Sequence, residues 1–214
     1  LTREKRYRLG KRLVFSLIVA VSVFSLQFVP SGYLSVHPGP VISLSDVVKI
    51  EGFSPCNGSF SMVSVVAKDA SFYEFLKAAV DRRVGLWSKK DVLGGQSIEE
   101  YLEHNKGSMV ESQNAAIHVA LNAKGVDPSE FKDFSDGIEI VTGQVAGPSA
   151  GLAFALEILN SIGPDLVKGR KIACTGILNY EGRVIGVGGV SQKTLACREH
   201  GIELFIVPQA NYDD

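Results

Sequence analysis

One serine and one lysine in the second half of the chain have the types and surroundings from which amide-cleaving chemistry is built. Ser149 stands among small residues in "QVAGPSAGLAFALEI", Gln144 to Ile158, just ahead of an apolar helical stretch, and Lys193 follows in "VSQKTLACREH". A serine hydroxyl is a weak nucleophile until a neighbouring base takes its proton. A lysine serves as that base only when neutral, and an ordinary lysine, with a pKa near 10.4, is almost wholly charged at neutral pH. Desolvation penalises the charged form and brings the pKa down by several units, so the amine must point into an apolar surround. A helical wheel at about 100° per residue places Ser191, Gln192, Arg198 and Glu199 on a polar side. It turns Lys193 the other way, between Ala196 and Cys197 and close to Val190. The common alternative for such a lysine is a snorkelling side chain with its head in water.

The serine fits two further roles. Gly147-Pro148-Ser149-Ala150-Gly151 matches G-x-S-x-G, the strained elbow of α/β-hydrolases, which then requires an acid and a histidine further along the chain. His200 is the only histidine after Ser149, and it ends a short amphipathic helix, a poor place for a triad member. Alternatively, the small residues merely let a helix pack closely on a strand. Other chemistries find little support. Cys56, Cys174 and Cys197 lack metal-ligand spacing; they are an odd number, name no pair, and read best as small buried hydrophobes. "GVGG" at Gly186 to Gly189 lacks the Lys-Ser/Thr of a phosphate loop and reads as a strand-to-helix turn. No cofactor and no metal are expected. The formal net charge of −1 predicts no bulk attraction to nucleic acid.

The elements that must position these residues follow from pattern. "SFSMVSVVA", Ser59 to Ala67, alternates as a strand, and "SFYEFLKAAVDRRV" reads as a helix capped by Ser71. "SIEEYLEHNKGSMVESQNAAIHVALNAKG" supplies one or two more helices ending at Gly125. "VDPSEFKDFSDG" is turn-forming, and "IEIVTGQV" is a strand that delivers the chain to Ser149. Pro148 suits a first helical turn, and "SAGLAFALEILNSI" is apolar almost all round, so its helix should be buried until Gly163-Pro164 stops it. "KIACTGIL" and "RVIGVGG" are strands joined by a tight "NYEG" turn, followed by the lysine helix and a last strand, "IELFIVP". The sum is a mixed α/β domain of a size that supports one well-packed core.

Ahead of this domain, Arg3, Lys5, Arg6, Arg8, Lys11 and Arg12 precede an uncharged run from Leu13 to Leu34. Its core, "LVFSLIVAVSVFSLQFVP", holds about 18 residues, enough for a membrane helix and more than the usual signal-peptide core. It ends in "QFVPSGYL" rather than in a small-residue cleavage site. An uncleaved anchor is therefore preferred over a cleaved signal or a buried core helix. Basic flanks stay in the cytoplasm, which sends the chain after about Tyr33 to the far side. "SVHPGPVISLSDVV" then reads as a Pro/Gly-punctuated connector.

Taken together, "GPSAGLAFALEIL", "KGRKIACTGILNYEGRVIGVGGVSQK" and "GIELFIVP" resemble the proteolytic domain of the Lon proteases (peptidase family S16), most of all the membrane-anchored Lon-like proteases of bacteria. The resemblance runs from about Gly143 to Pro208, with weaker similarity in "ESQNAAIHVAL", "SMVSVVA" and the N-terminus. It implies a Ser149–Lys193 dyad in which Thr175, within "CTGIL", holds the lysine amine toward the serine. It also implies an oxyanion hole built from backbone N–H groups at the start of the Ser149 helix. Three departures stand out. Ala146 occupies a place that is acidic in ATP-dependent Lon and commonly glycine in the anchored relatives. The stretch from Gly125 to Val145 is too short for the PDZ domain those relatives usually carry. The chain begins on Leu1 and stops at "NYDD", where the Lon domain normally continues, as a piece of a longer protein would.

The expected organisation is a basic flank over residues 1–12, an anchor over 13–34, a connector over 35–58, the strand and helix part of a Lon-like domain over 59–125, and its proteolytic core over 126–214. The expected function is that of a single-pass, ATP-independent serine endopeptidase of the cell membrane. Its catalytic domain would lie outside the cytoplasm, with flexible or unfolded peptides as substrates. A homo-oligomeric ring is expected by analogy. An inactive Lon-like domain that tethers binding partners to a membrane is the alternative.

Overall fold

The computed structural model describes residues 3–52, 58–125, 137–143 and 145–213. Helix α1 (Arg3–Ser25) opens the chain, and Gly10–Phe28, 19 residues, is long and apolar enough to cross a bilayer with none of its length buried against protein. The helical segment is shifted from the expected 13–34. Its basic flank is itself helical, and after Ser25 a single 3₁₀ turn, Leu26–Phe28, ends it. Pro30 is the cause: a residue before proline is pushed out of the helical region, and Val29 is extended (φ −89°, ψ 118°).

The chain forms two units, one from Leu1–His37 with Ala67–Gly94 and one from Pro38–Val66 with Gly95–Asp214. In the first, the early part of β1 (Pro30–Ser43) lies antiparallel to β4 (Gly85–Ser88), with Tyr33 opposite Ser88 and Val36 opposite Gly85. On its other side runs the end of β3 (Ser59–Ser71), where the Ser31 hydroxyl donates to the Ala70 carbonyl at 2.6 Å. Helix α2 (Phe72–Ala78) starts on a capping box: the Ser71 hydroxyl accepts from Glu74 N–H while the Glu74 carboxylate accepts from Ser71 N–H. Helix α3 (Lys89–Leu93) is capped by Ser88 and ended by Gly94 at φ 57°.

In the second unit the strand order is β1, β3, β6 (Lys171–Cys174), β9 (Leu204–Ile206). β6 lies parallel to both neighbours, with Met62 opposite Cys174 and Cys174 opposite Ile206. The presence of β1 corrects the expected connector. Pro38 and Pro40 keep the extended backbone that a strand needs, and Gly39 is there for close approach: a Cβ at that position would lie 2.6 Å from the Ser64 carbonyl oxygen. Past Ser43 the segment turns into β2 (Val48–Ile50), which pairs antiparallel with β5 (Ile138–Ile140); Phe53 to Asn57 lie outside the described residues. So do Cys56 and most of the expected turn region from Val126 to Asp136, and Gln144 just beyond β5.

Strand alternation assigns the two faces of this sheet. Phe60, Met62, Ile172 and Cys174 face α4 (Ile98–Ala123) and α5 (Gly151–Ile162), burying Phe154 and Ile158 completely. Val63 and Ala173 face α6 (Val190–Glu199), packing on Ala196 and Cys197. α4 is one helix where one or two were expected, because Met109, Ser112, Ala116 and Ala120 bury a single continuous stripe. α5 is deeply buried, as its composition predicts, and its Glu157 carboxylate accepts from Phe60 N–H at 3.0 Å, tying helix to sheet. Between α5 and α6 the chain forms a small hairpin, β7 (Ile177–Leu178) with β8 (Val184–Ile185), closed at Asn179 to Gly182. The architecture is a mixed α/β sheet layered between helices.

Candidate active site

The site forms where β6 stops. Beyond Cys174 the strand expected to run through "KIACTGIL" breaks at Thr175 and Gly176 and resumes as β7. Thr175 is fully buried, and its N–H donates to the Ile206 carbonyl at 3.0 Å, extending the grip of β9 by one residue. The Gly176 N–H donates to the Ser149 carbonyl at 2.8 Å, and the Gly176 carbonyl accepts from Leu152 N–H at 3.1 Å. These two bonds hold the first turn of α5 against the strand end.

That turn begins at Gly147, whose φ of 103° belongs to glycine, and passes through a 3₁₀ turn, Pro148–Ala150, into α5. α4 secures it from outside: the Asn105 carbonyl accepts from Gly147 N–H at 3.2 Å, and the Ser112 hydroxyl donates to the Pro148 carbonyl at 2.9 Å. Gly151 leaves no room for a side chain, since a Cβ would stand 2.6 Å from Ser112 Oγ and 3.1 Å from Leu178. Ser149 is left half-buried, with its hydroxyl on the inner side of the turn.

Lys193 arrives from the opposite face of the sheet. α6 starts at Gly189 (φ 73°), and Lys193 lies at the end of its first turn, 2% exposed. Its amine reaches Ser149 Oγ at 3.1 Å and Thr175 Oγ1 at 2.8 Å, and the Thr175 hydroxyl donates to the Ser149 carbonyl at 3.2 Å. All three residues singled out from the sequence therefore meet at one point. Burial brings the amine down from the ordinary 10.5 to about 8, opposed only by the Cys197 thiol one turn on. Burial also pushes that thiol up to about 11, against the opposing pull of the Lys193 charge. Cys174 is pushed up to about 12 by burial, in keeping with the reading of both as buried hydrophobes.

Two expectations need correction or closure. Gln192 is buried, not on a polar side: the first turn of α6 is covered on every side except that of Ser191, and a wheel compares sides of a whole helix. His200 is exposed, and its Nδ1 is paired with the Ala196 carbonyl at 2.9 Å, which directs the ring to its own helix and away from a triad with Ser149. Asn105 and Ser112 carry no signal in the sequence. Ser112 acts on Pro148 across 36 residues, and no local pattern announces such a contact.

A sequence model of the Lon protease (S16) C-terminal proteolytic domain matches residues 103–214, just over half of the chain. The chain belongs to the Lon (S16) protease family. Lon protease 1 of Myxococcus xanthus is 28% identical over 164 residues, covering 66% of this chain and 20% of that protein. The Lon proteases of Chloroflexus aggregans and Mycoplasma genitalium are 34% and 33% identical over 107 and 111 residues, covering 48% and 50% of this chain and 13% and 14% of theirs. The chain thus spans a fifth or less of the length of these curated relatives. The family match takes in Ser149, Thr175 and Lys193, the α4 residues that brace the serine turn, and every element from β5 onward. The Lon proteolytic domain is therefore the part of the chain that carries the site.

Proposed function

We propose that the chain is a membrane-anchored serine endopeptidase that works without ATP, with Ser149 as nucleophile, Lys193 as general base and Thr175 as the hydroxyl that aims the amine. The observation that carries this is the buried amine of Lys193, brought down to about 8 and 3.1 Å from Ser149 Oγ. At pH 7 about a tenth of such lysines are neutral, against roughly 0.03% of ordinary ones. Thr175 decides where the neutral amine points its lone pair. Its hydroxyl proton is committed to the Ser149 carbonyl, so toward Lys193 it can only accept. The lysine gives one N–H to Thr175 and keeps its lone pair for the serine.

In the proposed sequence, Ser149 Oγ attacks a peptide carbonyl carbon as its proton passes to Lys193 Nζ. The ammonium then hands that proton to the departing amine, the C–N bond breaks, and an acyl-serine remains. Water then attacks the acyl carbon as its proton passes to Lys193 Nζ, and the ammonium returns that proton to Ser149 Oγ as the ester bond breaks and the acid leaves. Backbone N–H groups of the Pro148–Ala150 turn, left unpaired by helix geometry, are the donors proposed for the oxyanion. An open cavity of about 230 Å³ beside the turn, lined by Glu111, Ser112, Pro148, Ile177, Leu178 and Tyr180, gives room for a side chain of an extended peptide. α1 serves as the single-pass anchor, with its basic flank in the cytoplasm and the proteolytic domain outside.

The test is to incubate the full chain in detergent with unfolded casein, without ATP, beside Ser149→Ala. Cleavage by the native chain alone supports the proposal; equal cleavage by both, or none by either, overturns it.

A further inference from the structure

In the unit that holds α1, the polarity of α2 is turned outward. Phe72, Tyr73 and Leu76 form one stripe at helical spacing, and Val80 continues it beyond the cap at Ala79. Tyr73 is 42%, Leu76 48% and Val80 85% exposed. On the side away from the stripe, the Glu74 carboxylate pairs with Lys68 on β3 at 2.8 Å. Of the ring-bearing residues Phe75 turns inward, its ring 5.1 Å from that of Tyr33. A helix that faces water does the reverse, apolar side in and charged side out.

The position of this stripe says what covers it. The Phe72 N–H donates to the Val29 carbonyl at 2.7 Å, and Val29 directly follows the apolar helix and its closing turn. Phe28, in that turn, is 73% exposed. α2 has seven residues and so reaches only about 10 Å from this tie, comparable to the headgroup layer that flanks a bilayer core of about 30 Å. Lys77, Arg82 and Arg83, all exposed, lie beside and beyond the stripe, with Asp81 between them. Exposed aromatic and aliphatic side chains edged by basic residues suit the boundary between acyl chains and anionic headgroups.

We propose that Phe28, Phe72, Tyr73, Leu76 and Val80 dip into the surface of an anionic bilayer, giving this unit a second lipid contact beside α1. This rests on α1 being a membrane anchor. The test reconstitutes the full chain in phosphatidylcholine–phosphatidylglycerol vesicles carrying brominated acyl chains, with a tryptophan added in Leu76→Trp, Val80→Trp, Phe15→Trp or Tyr212→Trp. The native chain, with its single Trp87, supplies the background. Phe15 reports the anchor, and Tyr212, 82% exposed on the other unit, reports water. Brominated lipid should quench about half of the added emission for Leu76→Trp and Val80→Trp, since interfacial side chains sit about 5–10 Å deep, while Tyr212→Trp responds only to aqueous acrylamide. If Phe15→Trp is quenched by lipid while Leu76→Trp and Val80→Trp respond only to acrylamide, the stripe faces water and the proposal is wrong although the anchor stands. If both respond to neither quencher, protein covers the stripe, a second copy of the chain being the simplest cover, and the proposal is equally wrong. Loss of lipid quenching at Phe15→Trp removes the anchor and this contact together.

Discussion

Replacing Lys193 by methionine should destroy activity and yet make the proteolytic domain more stable at neutral pH. The native amine is 2% exposed, and its pKa falls from 10.5 to about 8. At about 1.4 kcal/mol for each tenfold change in proton affinity, holding the charged amine in the fold below pH 8 costs about 3 kcal/mol. Methionine fills nearly the same space without the charge. The loss of hydrogen bonds to Thr175 and Ser149 returns about 1–2 kcal/mol, so the net gain is about 1–2 kcal/mol, or a Tm higher by roughly 2–8 °C for a chain of this size.

The pH dependence separates this cause from general repacking. Between about pH 8 and 10.5 the unfolded lysine holds a proton that the folded one has lost, so native stability rises with pH in that window and is flat below it. Methionine has no such slope, so its advantage should shrink over the window, vanish near pH 9 and become a deficit of about 1–2 kcal/mol by pH 10.5, where the lost hydrogen bonds remain. Thermal unfolding followed by near-ultraviolet circular dichroism at pH 7, 9 and 10.5, in detergent, measures this. A methionine variant less stable than the native chain at pH 7, or one whose advantage is the same at pH 10.5, would refute a desolvated amine.

In the proposed mechanism the same amine is the base, so kcat/KM on an unstructured peptide should climb with a midpoint near 8 and then level off. A midpoint near 10.4 would mean an unperturbed lysine, and one near 6.5 that disappears in His200→Ala would restore the histidine triad. Ser149→Ala and Lys193→Ala should each abolish cleavage, and the double variant should be little worse than either, because members of a dyad act as one unit. Thr175→Val removes a fully buried hydroxyl yet leaves the Gly176 bond to the Ser149 carbonyl, so kcat should drop about 10–100-fold with unchanged circular dichroism and should recover in Thr175→Ser. Gly151→Ala drives a Cβ into Ser112 Oγ and should cost about 1–3 kcal/mol; in a Ser112→Ala background most of that cost should go, and simple additivity in chemical denaturation would contradict the contact. External protease should digest the proteolytic domain on intact spheroplasts, whereas digestion only after lysis would reverse the proposed orientation.

Features written in local sequence were the legible ones. The Ser71 cap, the stop at Gly125 and the all-round apolarity of α5 each depend on neighbours a few residues away, and each appears in the structure. The side of α6 that carries Lys193 was legible for the same reason. What failed depends on partners far along the chain. The stretch from Ser35 to Ser43 reads as a connector by its prolines, yet it is a strand because β3 lies alongside, the Ser64 hydroxyl donating to the Pro40 carbonyl at 3.2 Å. Whether Ile98 to Ala123 made one helix or two was also left open; the buried stripe from Met109 to Leu121 settles it as one. The bracing of the serine turn by Asn105 and Ser112 left no trace at all in local pattern.

The arrangement of the candidate site follows from the sheet rather than from Ser149 or Lys193 alone. α5 and α6 lie on opposite faces of β6, so the serine at the start of one and the lysine in the first turn of the other can meet only past an end of the strand. They meet at its carboxyl end, the position that parallel strands reserve for ligands, and Thr175 is the first residue there. The lysine reaches this point from the Ala173, Ala196 and Cys197 cluster, and the partners of its amine among the described residues are two hydroxyls. Moving Lys193 one position along α6 would swing it about 100° away from this face. The swap Lys193→Thr with Thr194→Lys keeps composition but turns the amine toward exposed position 194. Its pKa should return to about 10.4 and cleavage should vanish, with circular dichroism unchanged. Retained cleavage in the swapped chain would show that neither proximity to Ser149 nor burial at the strand end is what makes this lysine a base.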